Sequence, residues 1–165
     1  MDIGPSLVHI LGPEGGELGT GFLCHPPGYV LTCRHVLEQG CGTAAGAAVR
    51  LRYGGKELAA RIACCLGPPH DLALLRLKEP AAGAPLLELD VRRQWERHRR
   101  VAARGFTATY PAGITVSGDL AEETSLDEGR VRAHQISDSN ARVSDLGFSG
   151  GPVVCEVSGR AMGVF

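Results

Sequence analysis

Short apolar and β-branched runs, separated by glycine- and proline-bearing breaks, fill most of the chain and leave little room for long helices. Leu7–Leu11, Gly19–Cys24, Tyr29–Thr32, Ala48–Tyr53, Leu58–Cys65 and Leu72–Leu77 read as strands. So do Val101–Phe106, Gly113–Leu120, Gly129–Ile136 and Pro152–Val157, and another begins at Ala161–Phe165. His25-Pro26-Pro27-Gly28 reads as a hairpin turn and the small residues of Gly40–Ala47 as a loop. The 23 glycines and ten prolines are spread along the chain, as many short strands joined by turns require. The fold class expected is all-β, in two small barrels or sandwiches over residues 1–90 and 101–165. A hydrophobic content of 44% over 165 residues is enough to give such halves a core.

Residues 91–100, Val-Arg-Arg-Gln-Trp-Glu-Arg-His-Arg-Arg, break this pattern. They are basic and polar with one Trp, and theirs is the one stretch with a trace of helical periodicity. They read as a solvated linker between the halves. A docking surface for an acidic partner is the sharper alternative.

A formal net charge of −1 gives no electrostatic case for nucleic acid or a membrane as partner. No apolar run reaches the roughly 18 residues of a membrane span. The start, Met1-Asp2-Ile3-Gly4-Pro5, lacks the basic and apolar regions of a secretory signal, so a cytoplasmic location is expected. Six cysteines, Cys24, Cys33, Cys41, Cys64, Cys65 and Cys155, allow three disulfides in 15 connectivities. Their spacing matches no zinc-binding pair, and free thiols in a reducing compartment are the expected state. No metal and no cofactor is expected.

Three polar residues stand in unusual company. His35 follows the strand Tyr29–Thr32, Asp71 precedes the strand Leu72–Leu77, and Ser149 lies among glycines in Gly147-Phe-Ser-Gly-Gly-Pro152. A serine hydroxyl needs a base to accept its proton during attack. Imidazole, with a pKa near working pH, fills that role, and a carboxylate can hold it in the right tautomer. Glycines beside the serine let backbone N–H groups reach a developing oxyanion. Singly, each of these residues is more often structural. The order His, Asp, Ser across separate β segments makes the set informative. It also argues against an α/β-hydrolase esterase, whose order is Ser, acid, His.

Together the motifs resemble the trypsin-like, chymotrypsin-fold serine peptidases, in the style of the bacterial HtrA-like members. Gly19-Thr-Gly-Phe-Leu with Gly28-Tyr-Val-Leu-Thr-x-x-His-Val is similar to the signature of that family's first barrel. Asp71-Leu-Ala-Leu-Leu-Arg-Leu is similar to its aspartate strand, and Gly147-Phe-Ser-Gly-Gly-Pro-Val-Val to its nucleophile loop. The resemblance spans Leu7 to Phe165. It implies two six-stranded antiparallel barrels with the active site in the cleft between them. Ser149 is then the nucleophile, His35 the general base and acid, and Asp71 the orienting carboxylate. The N–H groups of Gly147 and Ser149 form the oxyanion hole. Val143, six residues before the nucleophile, lies at the base of the specificity pocket. An apolar residue there argues against substrates with Arg or Lys before the cleaved bond, unless Asp145 turns inward. The expected partner is a protein or peptide substrate.

Departures from the family pattern are informative. Secreted members carry Asp where this chain has Phe148, so activation by a salt bridge to a new N-terminus is not expected. They also carry a cysteine where this chain has Val36. The family continues past the nucleophile strand with a substrate-binding strand and a helix, whereas this chain stops at Met162-Gly-Val-Phe165. The second barrel is therefore expected to be truncated, with a further domain or partner chain beyond Phe165. Two readings follow: an active serine endopeptidase, the module of a larger bacterial stress or defence protein, or a peptidase-fold binding module inactive until a partner completes it.

Overall fold

The computed structural model describes residues 2–91, 99–126, 131–137 and 147–165. Eleven strands and one short α-helix occur among them, besides a single 3-10 turn at Gly4–Ser6. The first six strands are β1 (Leu7–Leu11), β2 (Glu17–Cys24), β3 (Tyr29–Cys33), β4 (Ala48–Tyr53), β5 (Lys56–Leu66) and β6 (Leu72–Leu77). They close into an antiparallel barrel in the order β1-β2-β3-β6-β5-β4. Closure removes the exposed strand edges that six strands of this length would otherwise present.

The barrel fills with alternate side chains. In β4, Val49 and Leu51 are buried while Ala48 and Arg50 face solvent, as the period-2 geometry of a strand requires. Val8, Ile10, Leu23, Val30, Leu51, Ile62 and Leu75 meet at its centre. Burying each such side chain stabilises the fold by about 1.5–3 kcal/mol.

The second unit is a five-stranded antiparallel sheet in the order β11-β10-β7-β8-β9. Its strands are β7 (Arg100–Gly105), β8 (Ile114–Leu126), β9 (Val131–Ser137), β10 (Pro152–Cys155) and β11 (Ala161–Val164). The fold is thus all-β, with one closed barrel and a second, partial one. Ile3, Leu7, Phe22, Leu87, Ala102, Val154 and Ala161 form a cluster that joins the two units. Residues 87–90 lace both: Leu87 N–H donates to Leu23 O at 3.0 Å, and Asp90 N–H to Ala161 O at 2.7 Å.

Only β1, β4 and β6 keep the bounds of the sequence reading, and three of the differences have a visible cause. β8 runs to Leu126, past Leu120, because pairing with β9 carries it through a bulge between Leu120 and Glu123. β10 stops at Cys155, because the chain turns there: Gly159, at φ 73°, donates its N–H to Cys155 O at 2.9 Å. That turn leaves Val157 exposed. Arg100, read as linker, opens β7. Residues 92–98 of that linker lie outside the described residues. No helix among those described is long and apolar enough to cross a membrane.

All six cysteines are free. Burial raises the Cys24 thiol to about 11. Burial, with help from the Asp71 charge, raises Cys33 to about 12. Both thiols therefore stay protonated and shielded at neutral pH, whereas Cys64 is exposed. Iodoacetamide should label Cys64 in the native protein and spare Cys24 and Cys33 until denaturant is added. Peptide mass spectrometry after timed quenching checks this.

Candidate active site

β3 ends at Cys33, and the next five residues, Arg34–Glu38, form the helix α1 that carries His35. One turn and a half is too short for an apolar period to show in sequence, so this helix went unpredicted. Val36 and Leu37 anchor it in the first barrel. No side chain of its own caps its start. The cap comes from the residue that precedes β6, the strand paired with β3. Arg34 N–H donates to Asp71 O at 3.1 Å and His35 N–H to Asp71 Oδ1 at 3.0 Å. Asp71 thereby satisfies N–H groups that a helix start leaves without intrahelical partners.

The other carboxylate oxygen of Asp71 holds the imidazole. Asp71 Oδ2 and His35 Nδ1 are 2.6 Å apart, a short hydrogen bond of the kind a carboxylate makes. With Nδ1 as donor, Nε2 is left as the basic nitrogen. The carboxylate thus fixes helix start and ring together. Asp71 sits at φ 49°, in the left-handed region that Asp tolerates better than most residues. Its side chain is one-quarter exposed and that of His35 less than half, so the pair opens toward solvent. Cys33 adds a thiol here: its sulfur, a His35 nitrogen and an Asp71 oxygen lie within 4.8 Å of one another. The last two already bond each other.

Ser149 sits in the turn before β10, half-buried. Its carbonyl accepts the N–H of Thr20 on β2 at 2.9 Å. Gly150 N–H donates to Phe165 O at 2.8 Å, and Gly151 N–H to Phe148 O at 3.1 Å. Phe148 is buried and meets Phe165 edge-on, ring centroids 4.6 Å apart. The loop of the second unit is thus seated on the first barrel, on the strand next to the one that leads into α1. Among the described residues no hydrogen bond joins Ser149 Oγ to His35. The backbone N–H groups of Gly147 and Ser149 donate to no described acceptor. Val143 and Asp145 lie outside the described residues.

Two threonines escaped the sequence reading. Thr32 donates its hydroxyl to Thr20 O at 2.7 Å, and Thr20 donates its own to Gly147 O at 2.8 Å. Both are fully buried in apolar strands. A hydroxyl in such a place is the signal that could have found them, because a buried donor demands a partner.

The comparisons with known proteins agree with this architecture. A model of the trypsin-like peptidase domain matches residues 19–164. No curated protein matches the chain by sequence. Among solved structures, the active form of the Rv3671c protease from M. tuberculosis is 24% identical, with a TM-score of 0.69 over 98% of this chain and 70% of its own. The MamO protease domain from Magnetospirillum magneticum is 19% identical, TM-score 0.71, over 98% of this chain and 84% of its own. The HtrA-type protease AlgW, solved with a tripeptide, is 20% identical, TM-score 0.68, over 96% of this chain and 49% of its own. At these identities the solved structures speak for the fold, and the match over residues 19–164 for the lineage: the chain belongs to the trypsin-like peptidase domain family.

Proposed function

We propose that the chain is a serine endopeptidase domain acting through Ser149, His35 and Asp71. The observation that carries this reading is the grip of Asp71 on His35, by ring and by backbone, beside the seated Ser149 loop. Nε2 of His35 takes the proton of the Ser149 hydroxyl as it attacks the peptide carbonyl. The imidazolium that forms is stabilised by the Asp71 carboxylate, then protonates the leaving amine. Water repeats the sequence on the acyl-enzyme. The N–H groups of Gly147 and Ser149 receive the oxyanion. Contact between Ser149 Oγ and His35 tightens when substrate fills the cleft, as catalytic hydrogen bonds commonly do.

A fluorophosphonate probe tests this directly. The full-length protein should be labelled at Ser149, and the Ser149→Ala variant should not. The second reading is a module inactive until completed by a partner, and labelling only with that partner present would support it.

The family resemblance assigns Val143 to the pocket base, and on that assignment the preferred residue before the cleaved bond is apolar. A peptide library scanned at that position should show turnover with apolar residues at least tenfold above that with Arg or Lys. A dominant Arg or Lys preference would overturn the assignment. Free cysteines accord with a reducing, intracellular setting, and we place the domain in a larger bacterial stress or defence protein.

A further inference from the structure

We propose that the Thr20 hydroxyl is a positioning group for the oxyanion hole, holding the peptide that lies between its two N–H donors; this rests on the reading of Ser149 as nucleophile. Thr20 is fully buried in β2. Its hydroxyl donates to Gly147 O at 2.8 Å and accepts from Phe106 N–H at 2.9 Å. One side chain of the first barrel therefore ties the nucleophile loop to the segment that follows β7. Its backbone serves the same place: the N–H donates to Ser149 O at 2.9 Å, and the carbonyl accepts the Thr32 hydroxyl at 2.7 Å.

An oxyanion hole works only if its N–H groups already point at the place where charge develops. The Ser149 N–H belongs to the peptide whose carbonyl, that of Phe148, is held by Gly151 N–H. The neighbouring Gly147–Phe148 peptide begins at a glycine with φ 106°. Glycine, with no Cβ, restricts its own dihedrals least, so the Gly147 end gives this peptide little hold and its carbonyl needs a partner. Thr20 holds it. The close approach that permits this is built into the flanking residues. A Cβ at position 19 would lie 2.9 Å from Ser149 O and 2.8 Å from Val36. One at position 21 would lie 3.0 Å from both Ile10 and Val30. Gly19 lets β2 press against the loop and deliver the hydroxyl, while Gly21 makes room for Ile10 and Val30 inside the barrel.

Thr20→Val keeps the shape and removes the hydroxyl, while Thr20→Ser keeps the hydroxyl. For the valine variant kcat should fall about 100-fold, the scale of losing one oxyanion donor, with KM within about twofold. Affinity for a peptide boronate, which forms a tetrahedral anion on the serine, should fall with kcat. Affinity for the cleaved product peptide should not change. The serine variant should stay within about threefold of wild type on every measure. Should Thr20→Val not fold, Thr20→Cys carries the test: its weakly donating thiol must bind the boronate less tightly than Thr20→Ser.

Wild-type kcat and boronate affinity in Thr20→Val would overturn the proposal, as would a serine variant as impaired as the valine one. Equal losses of boronate and product affinity would also overturn it, since they report general disruption. A labelled wild type with an unaffected Thr20→Val sinks this proposal alone. A wild type that fluorophosphonate never labels sinks the Ser149 reading, and this proposal with it.

Discussion

Ser149→Ala should lower peptide turnover by on the order of 10⁶-fold, and His35→Ala by a similar factor. The double variant should be no worse than either, because nucleophile and base act as one unit: without the base the hydroxyl is not activated, and without the hydroxyl the base has nothing to activate. Asp71→Asn should cost less, on the order of 10⁴-fold. Asn tolerates the left-handed backbone at position 71 as Asp does, so the loss reports the carboxylate and not the strand. The amide also changes what the ring is offered. Where Oδ2 accepts from Nδ1, an NH₂ group would favour the wrong tautomer and leave Nε2 protonated. Steady-state kinetics on one good peptide substrate, with thermal unfolding as the control for folding, checks all three. Additive losses in the double variant would sink the triad reading.

Gly150→Ala is the second large effect, and it is structural. Gly150 lies at φ 88°, where a side chain costs about 1–2 kcal/mol. The added Cβ would also collide with Thr20 O and the Thr32 hydroxyl. Neither can yield cheaply. The Thr20 carbonyl belongs to β2, and the two atoms are bonded to each other inside the protein. Pushing them apart gives up that bond and disturbs the adjacent Thr20–Ser149 contact, at about 1 kcal/mol each. The total, about 3–4 kcal/mol, should lower Tm by roughly 10 °C in a domain of this size. Activity should fall with it, because the displaced segment carries Ser149. Gly15→Ala is the control that separates the two causes. Gly15 has nearly the same φ, 85°, but nothing stands within 4 Å of its Cβ position. It should lose only the backbone part, shifting Tm by a few degrees and leaving turnover untouched. Equal shifts in the two variants would show that the packing of the loop against β2 is not what the glycine protects.

Much of the fold was legible because a strand's signal is local. Val49 and Leu51 alternate with Ala48 and Arg50, and that alternation places β4 without knowledge of its partners. β1 and β6 are short apolar runs between breaks, and they too were read to the residue. β8 was read short because nothing apolar marks residues 122–125; its length is set by pairing with β9. α1 was missed for a different reason. Its first N–H groups are capped by Asp71, 36 residues away, so no local cap could announce it.

The sequence by itself determined the residue types, their order and the strand pattern around them: His35, Asp71 and Ser149 each beside a different strand, with glycines where backbone must come close. Tertiary structure alone decided what those residues touch. The bond between Asp71 and His35, the seat of the Ser149 loop on β2 and the two partners of the Thr20 hydroxyl all join residues far apart in the chain. A propensity is a property of neighbours along the chain and can be read there. A buried hydrogen bond is a property of neighbours in space, and it exists only once both barrels have brought donor and acceptor to about 3 Å.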